Sequence, residues 1–138
     1  RVEEWGVPDY YELIVVTGED YANANPETVS ALLGAIQRGY DDAIADPDGA
    51  IAILKAASED VDVAVERKGI DLLIPLWTDN GAVPFGTQTP ERWRTYADWL
   101  KEQGLLKAEV DPAAALRADL LPAPAATPEA SPAASPAG

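Results

Sequence analysis

Tyr11-Glu12-Leu13-Ile14-Val15-Val16 is the stretch that decides the fold class of this chain. Four aliphatic residues follow Glu12 without interruption, the pattern of a strand covered on both faces. Such a strand has to pair, because a buried backbone N–H or C=O without a partner costs about 1–3 kcal/mol. Nothing downstream offers a comparably strong strand. The expectation is an α/β protein, mostly helical here with one main strand, whose sheet lies mostly in residues outside this sequence.

The rest of the chain reads as helices that start with one repeated device. Asn25-Pro26-Glu27, Asp46-Pro47-Asp48, Thr89-Pro90-Glu91 and Asp111-Pro112 each place a capping side chain directly before proline. The cap accepts an otherwise unpaired N–H, proline at the first helical position loses nothing, and an early acidic residue suits the positive end of the dipole. The helix from Pro26 aligns Val29, Leu32, Leu33, Ile36, Tyr40, Ala43 and Ile44 on one face. Gly34 and Gly39 weaken it by roughly 1 kcal/mol each and permit close approach of a neighbour. A second helix runs from Pro47 to about Ala57. A third starts near Glu59 or Asp60 and ends at Pro75, with Gly69 as a break. Residues 77–89 read as a loop built on Asp79-Asn80-Gly81 and Pro84-Phe85-Gly86. The helix from Pro90 carries Trp93, Tyr96, Ala97 and Leu100 and stops at Gly104. A last one extends from Pro112 to about Leu120. The division is residues 1–121 as the folded part and 122–138 as a disordered Pro/Ala-rich tail.

Composition narrows the function classes. The 138 residues carry a net charge of −14, which disfavours nucleic acid and anionic membrane surfaces as partners. There is no cysteine and so no disulfide framework. No apolar run approaches the roughly 20 residues of a membrane span. The start at Arg1, without Met or signal peptide, reads as a fragment or a processed product.

The sequence has no His and no Cys, which removes the commonest general base, the commonest metal ligands and a thiolate nucleophile. No phosphate-cradling glycine loop occurs. The acidic groups at Asp41-Asp42, Asp46 and Asp48, and Glu59-Asp60 and Asp62 lack calcium-loop order and read as caps and solvent-facing charges. No catalytic residue, metal ligand or cofactor is expected. Trp5-Gly6-Val7-Pro8-Asp9-Tyr10-Tyr11-Glu12 differs from the rest, with three aromatics and two acids around a Gly/Pro bend just before the strand. Aromatic faces grip flat rings, and carboxylates accept hydrogen bonds from ring amino groups. Tyr10 and Tyr11 also fit simple packing against a neighbouring helix, and the residues alone leave both readings open.

Gly6-Val7-Pro8-Asp9-Tyr10-Tyr11-Glu12-Leu13, Asn25-Pro26-Glu27, Ala35-Ile36-Gln37-Arg38-Gly39-Tyr40 and Ala45-Asp46-Pro47 stand in one order along the chain. Pro84-Phe85-Gly86, Trp93 and Lys101-Glu102-Gln103-Gly104-Leu105-Leu106 continue it. Together they resemble the C-terminal half of ABC-importer solute-binding proteins of the thiamine-pyrimidine-synthesis-like family, over roughly residues 5 to 110. That family includes binders of a formylated aminomethylpyrimidine precursor of thiamine, of riboflavin and of alkyl sulfonates.

The resemblance implies a two-lobed periplasmic-binding-protein type II fold. Residues 7–12 would be the second crossing between lobes, and the missing N-terminal part would supply the sheet partners. It implies a ligand site at Asp9, Tyr10, Tyr11 and Glu12, a small heteroaromatic ligand, an ABC permease as partner and an extracytoplasmic location, in the periplasm or lipid-anchored at the outer face of the cytoplasmic membrane. Alternation along an extended segment would turn Tyr10 and Glu12 to the ligand and Tyr11 behind them. The family also contains a pyrimidine-synthesis enzyme with a cysteine-rich loop here, where this chain has Val7-Pro8-Asp9-Tyr10-Tyr11, so a binder is favoured over an enzyme. A free-standing acidic helical interaction module is the remaining alternative.

Overall fold

The computed structural model describes residues 2–123, and within them six α-helices follow one another, four of them from the proline-marked starts. They are α1 (Glu19–Ala24), α2 (Pro26–Ala45), α3 (Pro47–Ala57), α4 (Val63–Trp77), α5 (Pro90–Glu102) and α6 (Pro112–Ala115). Short 3₁₀ turns at Val2–Trp5 and Ala118–Leu120 flank them. The tail expected to be disordered lies, from residue 124 onward, outside the described residues.

The proline-marked starts form as the sequence dictates, and three of the four caps are made. Asp46 accepts from the N–H of Gly49, Thr89 from Arg92, and Asp111 from Ala113. Asn25 is the exception: its amide donates back to the carbonyl of Tyr21, so it closes α1 while opening α2. Gly104, at φ +71, ends α5 with the N–H groups of Gly104 and Leu105 turned onto the carbonyls of Lys101 and Leu100. That is the left-handed closure glycine provides without a Cβ penalty.

Several boundaries differ from expectation. The third helix begins at Val63, capped by the Asp62 side chain rather than at Glu59 or Asp60. It runs through Pro75 to Trp77, closing over a turn in which Asp79, Asn80 and Gly81 all have positive φ. The Asn80 N–H reaches the Pro75 carbonyl there, holding the last turn together. The final helix ends at Ala115, and Leu120 is carried by the 3₁₀ turn instead. The short α1 was not anticipated from the sequence.

The expected main strand is not formed. Among the described residues there is no β-strand, and residues 11–16 run as open chain. Leu13 and Val16 are 91% and 78% exposed. The physical reason is the one that made the stretch conspicuous: a strand needs a second strand's N–H and C=O groups, and these residues supply only helices and turns.

Ala22, Val29 and Leu120 form the small core, with Leu33 against it. Here α1, α2 and the Ala118–Leu120 turn meet, and Arg117 donates to Asn23 at 2.8 Å to tie the turn to α1. A Cβ on Gly34 would come within 3.1 Å of Pro122, so this glycine admits the chain that follows Leu120. Ile51 is buried further along α2, beside Ile36 and Tyr40, where α3 packs on α2 and α4. Arg67 on α4 bridges Asp48 on α3, at 3.0 Å, and Asp71 one turn on, at 2.9 Å. Outside these centres, large apolar side chains stay exposed, including Ile53, Val65, Leu72 and Leu105.

Candidate functional site

α5 builds the site from behind. Thr89 caps it and Pro90 starts it, which fixes the rotation of the helix and brings Arg92, Trp93 and Tyr96 to neighbouring positions on its surface. Gly6 sets the approach of the opposing segment. Its N–H donates to the Glu3 carbonyl at 3.1 Å and its φ is +85, a conformation L side chains rarely adopt. Pro8 then stiffens the turn toward α5.

All four residues singled out from the sequence lie in this place. Tyr10 stacks on Tyr96 with ring centroids 4.6 Å apart and planes 9° apart. Tyr96 in turn lies 5.9 Å from Trp99, at 12°, so three rings form a ladder. The Tyr10 hydroxyl donates to Glu12 Oε1 at 3.3 Å. Its pKa lies above the ordinary 10.0, first because partial burial disfavours the phenolate and then because the Glu12 carboxylate is close.

Tyr11 docks on α5 as well. Its hydroxyl accepts from the Thr89 N–H at 3.0 Å and its ring lies 5.8 Å from Trp93. The Arg92 guanidinium sits 4.8 Å from the Tyr11 ring centre and also pairs with Asp9 at 3.0 Å. Both tyrosine rings therefore pack on α5, Tyr10 on Tyr96 and Tyr11 beside Trp93 and Arg92, while Glu12 is held to the Tyr10 hydroxyl. The arrangement offers an aromatic platform beside an exposed carboxylate, a chemistry of stacking and hydrogen-bond acceptance. Among the described residues no group of acidic side chains is arranged to hold a metal.

Sequence reasoning placed Trp93 and Tyr96 on one helical stripe but overlooked Arg92, the residue that reaches both Asp9 and Tyr11. A basic residue near a helix start carries no signal by itself; only its place beside Trp93 and one turn before Tyr96 marks it. A second aromatic group was also missed. Tyr40 and Phe85 stack at 3.7 Å and 9°, Trp77 stands edge-on to Tyr40 at 4.9 Å, and buried Gln37 donates to the Phe85 carbonyl at 3.0 Å. Beside it an apolar groove of about 390 Å³ runs between α2, α3 and α4. Its lining of Ile36, Ile51, Leu54 and Ile70 marks a loosely filled packing seam rather than a polar binding site.

With this geometry in place, the chain can be set beside known proteins. Residues 1–50 match a family described as NMT1/THI5 like, and they contain the whole of the segment docked on α5. The chain is also 28% identical over 111 residues to the formylaminopyrimidine-binding protein of Halalkalibacterium halodurans, a match covering 78% of this chain and 33% of that protein. Both findings agree with the resemblance read from the sequence: the first 50 residues are similar to that family, and most of the chain is similar to this binding protein. The chain spans about a third of the length of the curated relative it matches.

Proposed function

We propose that this chain is the C-terminal part of an extracytoplasmic solute-binding protein of an ABC importer, that it captures a thiamine-precursor pyrimidine or a similar small heteroaromatic, and that it is not an enzyme. The observation that carries this reading is the paired arrangement of Tyr10 and Glu12, a stacked ring hydrogen-bonded to an exposed carboxylate, inside the stretch that matches the family. An aminopyrimidine presents a flat face to the first and N–H donors to the second. A sulfonate or phosphate ester would meet Glu12, while the nearest cation, Arg92, is already paired with Asp9.

In this reading residues 7–12 cross between two lobes and residues 13–16 enter the sheet of the first, in a periplasmic-binding-protein fold of α/β class. Binding energy would close the lobes, and the closed form would be read by the permease. A direct test uses the fluorescence of Trp93 and Trp99, which lie within or beside the Tyr10–Tyr96 ladder. The complete protein is titrated with a formylated aminomethylpyrimidine, with riboflavin and an alkyl sulfonate as competitors. A saturable change with the pyrimidine that neither competitor displaces is expected. Preferential response to the sulfonate would overturn the assignment of ligand class.

A further inference from the structure

We infer that Arg92 and Tyr96, one turn apart on α5, are the positioning residues of this site, dividing the four candidate residues into two that hold and two that bind. The inference rests on the ligand site proposed above and adds the residues that act on it from behind. Arg92 draws Asp9 into an ion pair at 3.0 Å and lies 4.8 Å from the centre of the Tyr11 ring. Tyr11 is further fixed by the Thr89 N–H on its hydroxyl. Asp9 and Tyr11 are thereby committed to α5.

Tyr96 covers one face of the Tyr10 ring, and the Tyr10 hydroxyl is aimed at Glu12. What remains for a ligand is the rest of Tyr10 and the exposed Glu12 carboxylate. The pairing of Arg92 with Asp9 also sets selectivity. It leaves Glu12 as the uncompensated charge on the ligand's side, so the site favours hydrogen-bond donors and repels anions. α5 thus acts on the ligand through the crossing segment.

The test measures calorimetric affinity of the complete protein for a formylated aminomethylpyrimidine, with a melting curve for every variant. Tyr96→Leu should weaken binding about two- to tenfold, the range of one aromatic pair, while Tyr96→Phe keeps the stack and restores wild-type affinity. Arg92→Gln, which also takes the guanidinium off the Tyr11 ring, should weaken binding at least as much as Asp9→Asn, and the double variant no more than Arg92→Gln, because the Asp9–Arg92 contact is already broken. Additive losses, with Asp9→Asn the larger, would show Asp9 on the ligand itself and overturn the division. Wild-type affinity in Tyr96→Leu, with Glu12→Gln weakened, would overturn the positioning role while leaving the site in place. Wild-type affinity in Glu12→Gln would remove the site and the inference together. If Tyr96→Leu loses its melting transition, the Asp9 and Arg92 cycle, made at exposed or partly exposed side chains, decides the matter alone.

Discussion

Removing the Leu13 side chain should matter little in one setting and much in another. In the 138-residue chain Leu13 is 91% exposed, so only about a tenth of its burial energy is at stake. Full burial of a leucine is worth about 1.5–3 kcal/mol, which leaves roughly 0.1–0.3 kcal/mol for Leu13→Ala here. In the complete protein, with residues 13–16 inserted as a covered strand, the same change would cost about 2–5 kcal/mol. Ile14→Pro separates pairing from side-chain burial. It removes one backbone donor and is tolerated in open chain, but in a central strand it breaks a ladder hydrogen bond and is strongly destabilising. Urea unfolding of the complete protein measures both losses, and hydrogen exchange of residues 13–16 reports pairing in either setting. Fast exchange in the chain alone and strong protection in the complete protein are expected. Fast exchange in both, with both substitutions harmless, would refute the claim that this apolar run is a strand awaiting partners.

Other outcomes follow from the packing. Gln37→Leu removes the amide that holds the Phe85 carbonyl to α2, and should lower the stability of the complete protein by about 1 kcal/mol in urea unfolding, rising toward 3 if that carbonyl is then sealed from water. Acid should loosen the segment around Leu120. The Arg117 guanidinium hydrogen-bonded to Asp119 holds its carboxyl below the ordinary 3.8, a depressed value whose stabilisation is present above 3.8 and is lost as pH falls through the lowered one. Amide exchange at Leu120 should therefore quicken in that acid window, and Asp119→Asn should abolish the step.

How far the sequence disclosed this structure depends on whether a feature is local. The starts at Pro26, Pro47 and Pro90 are written in adjacent residues, and so is the stop at Gly104; all four appear where read. Asp62 rather than Glu59 or Asp60 opens α4 because its side chain reaches the N–H groups of both Ala64 and Val65. α1 was hidden because six residues carry too little periodicity to show, and it is held by Ala22 against Val29 and Leu120, a contact across the whole chain. The strand failed for the same reason in reverse: its pattern is local but its partners are not. At the site, the aromatic and acidic cluster from Asp9 to Glu12 was legible. Its docking on α5 was not, since Asp9 and Arg92 are joined only by the fold.

The most direct measurement is a calorimetric titration of the complete protein and its Glu12→Gln variant with a formylated aminomethylpyrimidine. One-to-one saturable binding is expected, weakened about ten- to a hundredfold by Glu12→Gln through loss of a charge-assisted hydrogen bond, with unchanged melting temperature. Absence of binding to the wild-type protein, or identical affinity in the variant, would contradict the proposed site.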